Sequence, residues 1–233
     1  MDRYIRKAIS IKKADEKMNL ILVLGGVVLS FLITFASGDL GTDAHSVVQV
    51  MCTAVAGSYV IGSMFLKVLV MTEEVIRGLS FGITRRELFA INRIVEILEL
   101  IVISIPVLIV FNDRLGLVFK LIAISFGLFM WVEGIAGNNV IRYGKTAYWI
   151  YYAAFFCVMM GVPRLADIFP KFGMFLSSLA LSIANSEANQ LNVWCAIMFF
   201  VIVGFGVNWL TFRKIPVNHA VKKKRGDGKN EQN

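Results

Sequence analysis

Four charged residues, Lys67, Glu96, Glu99 and Glu133, fall inside runs of apolar residues. An ionised side chain in such a run is costly unless it is paired, and it either ties helices together or serves a path or gate. Lys67 lies about one turn inside the end of one run, and Glu96 and Glu99 lie one to two turns inside the next. In an antiparallel helical hairpin these three groups reach a common depth, because each residue rises about 1.5 Å. An intramembrane ion pair of Lys67 with Glu96 and Glu99, shared with Arg93, is therefore expected. Its favoured role is to fix the hairpin; a gate or substrate contact is the alternative. Glu133 is deeper, on a later run, with Arg142 or a residue of another span as its expected partner. It is the candidate gate or substrate-path residue.

Residues 81–89 read Phe-Gly-Ile-Thr-Arg-Arg-Glu-Leu-Phe and separate two long apolar runs. Thr84 and Glu87 have capping-box spacing: the hydroxyl can accept from the Glu87 amide while the carboxylate accepts from the Thr84 amide. Gly82 suits the end of the preceding helix, since it takes a positive φ without steric cost. A helical corner this well defined, bearing Phe81, Arg85 and Arg86, predicts a surface that touches another protein.

The elements that position these groups follow from composition. Of 233 residues, 57% are hydrophobic and 17% charged, with mean hydropathy +0.70 and net charge +8. Repeated uncharged stretches of about 20 residues match a hydrocarbon core of roughly 30 Å. Each span must be helical, because the backbone has no water partners there. Six spans are expected, at 20–36, 46–71, 94–111, 115–137, 147–162 and 191–212. Basic residues alternate sides across these spans, rich before the first, in the second and fourth connections and in the tail. That alternation places both termini in the cytoplasm of a multi-pass membrane protein. A cleaved signal peptide is the rival reading of the first run.

Residues 1–19, with Tyr4, Ile5, Ala8, Ile9 and Ile11 among basic residues, predict an interfacial amphipathic helix. Residues 163–190 are apolar but interrupted by Pro170, Gly173 and serines, and predict two short re-entrant helices at the outer face. The bundle proper covers 20–212 and a basic cytoplasmic tail covers 213–233, all within one transmembrane domain. Lys120 can snorkel to the outer interface. Asn208 beside Trp209, and the small residues Gly57, Ser58, Gly62, Ser63, Gly204 and Gly206, mark helix packing.

Several chemistries lack their residues. The chain has no Gly-x-x-x-x-Gly-Lys-[Ser/Thr] sequence and so no phosphate-cradling loop of its own. Cys52, Cys157 and Cys195 sit in apolar runs without metal-like spacing and read as small hydrophobes. Glu73-Glu74-Val75-Ile76-Arg77 resembles part of an intramembrane prenyl-endopeptidase motif, but it is one residue short and the intramembrane histidines are missing. Glu73 and Glu74 read instead as a solvated helix end beside Arg77. The charge pattern gives no reason to expect nucleic acid, and no catalytic residue or metal site is expected.

The block at 81–89 together with Asn138-x-x-Ile141-Arg142-Tyr143-Gly144-Lys145 resembles the permease subunits of type-2 ABC exporters over nearly the whole chain. The resemblance implies an all-α fold of six spans with an N-terminal interfacial helix, a coupling helix between spans 2 and 3, and re-entrant helices between spans 5 and 6. It implies that Phe81, Gly82, Thr84, Arg85, Arg86, Glu87 and Phe89 form the coupling element for a separate ABC ATPase, which would hold ATP and Mg. This chain would then carry no cofactor. Arg142 and Lys145 would belong to the second cytoplasmic loop. Two permeases, identical or paralogous, would pair in a bacterial cytoplasmic membrane. The chain is most similar in look to small exporters of amphipathic peptides, such as those for phenol-soluble modulins. The alternative is an ATP-independent six-helix immunity factor or channel-like scaffold.

Overall fold

A computed structural model describes residues 2–36, 44–185 and 190–215, and the side chains of 17–35, 45–185 and 190–215. Among the described residues every regular element is helical: α1 (Asp2–Ala36), α2 (Ala44–Ser80), α3 (Arg85–Val110), α4 (Leu115–Val132), α5 (Asn138–Tyr143), α6 (Lys145–Ile168), α7 (Pro170–Ala184) and α8 (Gln190–Phe212). A 3-10 turn, Asn112–Arg114, precedes α4, and a π-helical turn, Glu133–Gly137, joins α4 to α5. Five segments are long and apolar enough to cross a membrane: Lys17–Phe35, His45–Ser80, Asn112–Tyr143, Lys145–Ile168 and Gln190–Phe212. The chain thus fits an all-α, multi-pass membrane protein. Helix α3, expected as a span, has the length but carries Arg93, Glu96 and Glu99.

Lipid-type exposure accounts for the surface. Leu20, Phe31, Trp149, Met160, Phe199 and Ile202 are all exposed. In a soluble protein so many exposed large hydrophobics would be a liability. Cys157 and Cys195 are exposed and Cys52 is half-buried, all three free thiols.

Several expected boundaries shift. No break separates residues 1–19 from the first span; α1 is one helix of 35 residues. Its first glycine is Gly25, and the stretch before it is rich in Lys, Ala, Glu, Met and Leu, which favour continuous helix. The apolar side chains singled out at Tyr4 to Ile11 lie outside the described residues. So do residues 37–43 of the first connection and the tail beyond residue 215.

No separate coupling helix stands between α2 and α3. Residues 81–84 form a tight turn, with Gly82 at φ +74°, and α3 starts at once. Similarly, residues 138–143 are helix rather than loop, and Gly144 at φ +74° makes the whole turn into α6. Between α6 and α8 stands one helix, not two. Pro170 occupies the first turn of α7, where its missing N–H costs nothing. Ser177, Ser178 and Ser182 donate to carbonyls of Met174, Phe175 and Ser178, so they satisfy themselves within the helix rather than interrupting it. Gly173 lies so close to the Ala166 carbonyl that a Cβ would sit 2.9 Å from it.

Lys120 departs from its expected snorkelling. It is buried, and its Nζ donates to the Ile183 carbonyl at 3.0 Å and the Asn185 carbonyl at 3.5 Å. It therefore caps the end of α7, where orphan carbonyls and the helix dipole favour a cation. Small residues pack helices where expected in part: Gly26 of α1 meets Ser58 and Val55 of α2, and Gly204 of α8 meets Trp131 and Met130 of α4. Gly57 and Gly206 face open space.

The corner closes as its spacing predicts. The Glu87 amide donates to Thr84 Oγ1 at 3.3 Å, and the Thr84 amide donates to Glu87 Oε2 at 3.1 Å. Thr84→Ala is expected to cost about 1 kcal/mol through loss of this cap. Unfolding midpoints of the two proteins in the same detergent check it; an unchanged midpoint would show the cap to be idle.

Candidate functional site

The interior between α2, α3, α4 and α8 holds a continuous chain of polar side chains. Heptad-like spacing builds it. On α2, Tyr59, Ser63 and Lys67 recur every four residues and share one face. On α3, the buried residues Leu88, Phe89, Asn92, Arg93, Glu96, Leu100 and Ser104 trace the inward stripe. On α8, Asn208 and Thr211 stand one turn apart.

Lys67 Nζ lies 3.1 Å from Glu99 Oε2 and 3.5 Å from Glu96 Oε1. Glu96 Oε2 lies 2.5 Å from Arg93 Nη1, and Arg93 Nη2 pairs with Glu133 Oε2. Asn208 Nδ2 donates to Glu133 at 3.2 Å, and Asn138 Nδ2 donates to Asn208 Oδ1 at 3.0 Å and Thr211 Oγ1 at 2.8 Å. At the other end the Tyr59 hydroxyl donates to Glu99 Oε2 at 3.1 Å. The cations also rest on rings: Lys67 over Phe129 at 4.8 Å and Arg93 over Phe89 at 5.2 Å. These contacts sit in a low-dielectric environment where each missing partner would be expensive.

The expected pairing of Lys67 with Glu96 and Glu99, shared with Arg93, is thus present in the geometry. Glu133 joins it through Arg93 of another helix, the second of its two expected partners; Arg142 is exposed and stacks on Tyr143 at 5.1 Å. Lys145 is exposed too. Glu133 opens the π-helical turn, whose Asn138 amide reaches back to the Glu133 carbonyl. That extra residue per turn carries Gly134 against the Asn208 backbone, where a Cβ would sit 3.0 Å from the Asn208 nitrogen. π turns of this kind recur at functional positions. Glu73 makes the exposed contact with Arg77 at 2.9 Å, but Glu74 is buried, against its reading as solvated.

The corner residues divide. Phe81, Thr84, Arg86 and Glu87 are exposed. Arg85 is half-buried, and its Nη1 donates to the Arg213 carbonyl at 2.5 Å, tying the corner to the end of α8. Phe89, expected on the coupling surface, is buried instead among Phe205, Trp209 and Phe212, with centroids 5.1–5.4 Å away. It lies one turn into α3 and on the inward stripe. With Met71, Val75, Ile83, Leu88 and Ile215 these rings make the core beneath the corner.

Tyr59, Asn138 and the donor role of Asn208 were not apparent from spacing alone. The four-residue period linking Tyr59 to Lys67 is the signal that marks Tyr59. For Lys67 and Glu99, a double-mutant cycle with methionine and glutamine is expected to give an interaction energy of about 0.5–3 kcal/mol. A zero interaction energy would dissolve the pair.

Among the described residues no three His, Cys, Asp or Glu side chains are grouped to hold a metal ion. What the arrangement can do is clamp four helices electrostatically at one level and exchange partners if they move. No family model, curated protein or solved structure matches this chain.

Proposed function

We propose that the chain is the transmembrane permease subunit of an ATP-driven exporter in a bacterial cytoplasmic membrane, with six spans and cytoplasmic termini. The observation that carries this reading is the corner. It is capped at Thr84, hinged at Gly82, tied to α8 through Arg85 and underlain by aromatic rings, yet it presents Phe81 and Arg86 outward. A linker needs none of that rigidity; a lever does. A separate ATPase holding ATP and Mg pushes the corner, and α2 and α3 carry the stroke to the clamped level at Lys67, Arg93 and Glu133. ATP must favour the closed ATPase arrangement for the stroke to do work. Helix α3 counts as a span because its charges are paired inward, which offsets much of their cost.

Two such permeases pair, and an amphipathic peptide passes between them. The interior of one copy is occupied by Tyr59, Phe129 and Met130 together with the ion pairs, which favours a path at a subunit boundary. Inside-out vesicles from cells that make the chain should accumulate an amphipathic peptide when given ATP. Equal uptake into vesicles from cells lacking the chain would defeat the reading.

A further inference from the structure

Helices α2 and α6 leave an open seam between them. On α2, Phe65, Leu69, Thr72 and Ile76 recur at three- and four-residue steps and share one face; on α6, Lys145, Tyr148, Tyr152 and Phe156 do the same. Two hollows follow one another along these stripes. The first, about 530 Å³, lies between Leu69, Thr72 and Ile76 on one side and Lys145 on the other. The second, about 440 Å³, lies between Phe65 and the pair Tyr152 and Phe156. Tyr148 and Trp149 border both. The Tyr151 and Tyr152 hydroxyls donate to the Met64 and Phe65 carbonyls at 2.7 Å and 2.8 Å, so α6 stands off α2 by the length of a tyrosine. The seam is graded in polarity. Lys145 opens it, Tyr148 and Trp149 follow within about one turn, and the deeper walls are apolar. From Lys145 to Arg164, α6 rises about 28 Å, close to the thickness of a hydrocarbon core, so the Lys145 end sits at headgroup level. Helix α2 turns from apolar to charged at the same end, at Glu73 and Arg77.

We propose that the α2–α6 seam binds one anionic phospholipid, its phosphate beside Lys145 and an acyl chain along Tyr152 and Phe156. Cation, aromatic belt and apolar groove follow the order of headgroup, interface and chain. Lys145 is exposed, and among the described residues no carboxylate pairs with it. On the facing stretch of α2, Glu73 is held by Arg77 at 2.9 Å and Glu74 is buried. Lysine acts as a compact point charge, so it favours a net anionic headgroup without fixing its further chemistry. An apolar helix of a second copy would cover the walls and leave Lys145 without an anion; a phospholipid serves both ends. The site needs only that α2 and α6 cross a bilayer, and it rests on no ATPase or peptide.

Native mass spectrometry of the full chain tests it, after release in mild detergent from nanodiscs of equal phosphatidylglycerol and phosphatidylcholine. The wild type should retain one phosphatidylglycerol in preference to phosphatidylcholine. Added NaCl should shrink that preference, because an exposed cation is screened. Lys145→Gln should lower the preference about fivefold, the share of one lysine near an anionic lipid surface. Ala153→Trp, which fills the deeper hollow from an exposed position, should lose both lipids. Arg164→Gln, at the far end of α6, should keep the wild-type preference. Equal retention of the two lipids by the wild type overturns the proposal whether or not any variant folds. An unchanged preference in Lys145→Gln overturns it, as does an equal loss in Arg164→Gln, the mark of a general surface-charge effect. A wild type that holds no lipid, and a dimer that Ala153→Trp splits into monomers, would give the seam to a second copy and overturn it too.

Discussion

Replacing Arg93 by alanine should destabilise the protein by about 3–5 kcal/mol, the range for removing one partner from a buried ionic network. The side chain pairs with Glu96 at 2.5 Å and with Glu133, and it stacks on Phe89. Without it Glu96 and Glu133 lose their shared cation, leaving Glu96 with Lys67 and Glu133 with Asn208. The loss should appear as a lowered unfolding midpoint in detergent and as poor accumulation in the membrane. A companion triple variant, Arg93→Met with Glu96→Gln and Glu133→Gln, removes the charges together. It should recover most of the stability, because apolar or neutral replacements of similar volume often match a buried ion pair. An Arg93→Ala midpoint within the range of ordinary surface substitutions, about 0.5 kcal/mol, would show that the network does not hold the bundle.

Charge reversal at the corner should have its large effect on association rather than on folding. Arg86 is exposed, so Arg86→Glu should leave the unfolding midpoint unchanged. If an ATPase docks there, a like-charge contact costs several kcal/mol, and affinity should fall at least about tenfold, each tenfold step being about 1.4 kcal/mol. Arg85→Glu differs in kind. It removes the bond to the Arg213 carbonyl and loosens the corner from α8, so it should lower both the midpoint and the coupling of ATP hydrolysis to export. Equal complex formation and transport by the wild type and the Arg86→Glu variant would remove the corner from the coupling path.

Local features were legible in the sequence because they are decided by neighbours in the chain. The capping box needs only Thr84 and Glu87, three residues apart, and it forms as its spacing dictates. The Lys67–Glu99 contact needed one further step, an antiparallel hairpin that equalises depth. What escaped depends on helices distant in sequence. The partner of Glu133 is set by how α3, α4 and α8 meet; the sequence leaves Arg142 and a residue of another span open, and the fold selects the second, Arg93. Phe89 sits in a motif that predicts a surface, although its spacing with Asn92, Arg93 and Glu96 puts it on the buried stripe. Lys120 read as an interfacial cation until α7 brought its carbonyl end over it. The π-helical turn at Glu133 carries no proline or other local sign; it accommodates the close approach of Gly134 to Asn208.

On the function proposed above, a separate motor drives this chain through its corner. A photo-crosslinking residue in place of Arg86, activated in native membranes, tests it most directly. The residue should capture a subunit bearing a nucleotide-binding Walker sequence, in amounts that change when ATP is added. Export of the peptide by the purified chain alone, with no ATP-binding subunit captured at the corner, would contradict it.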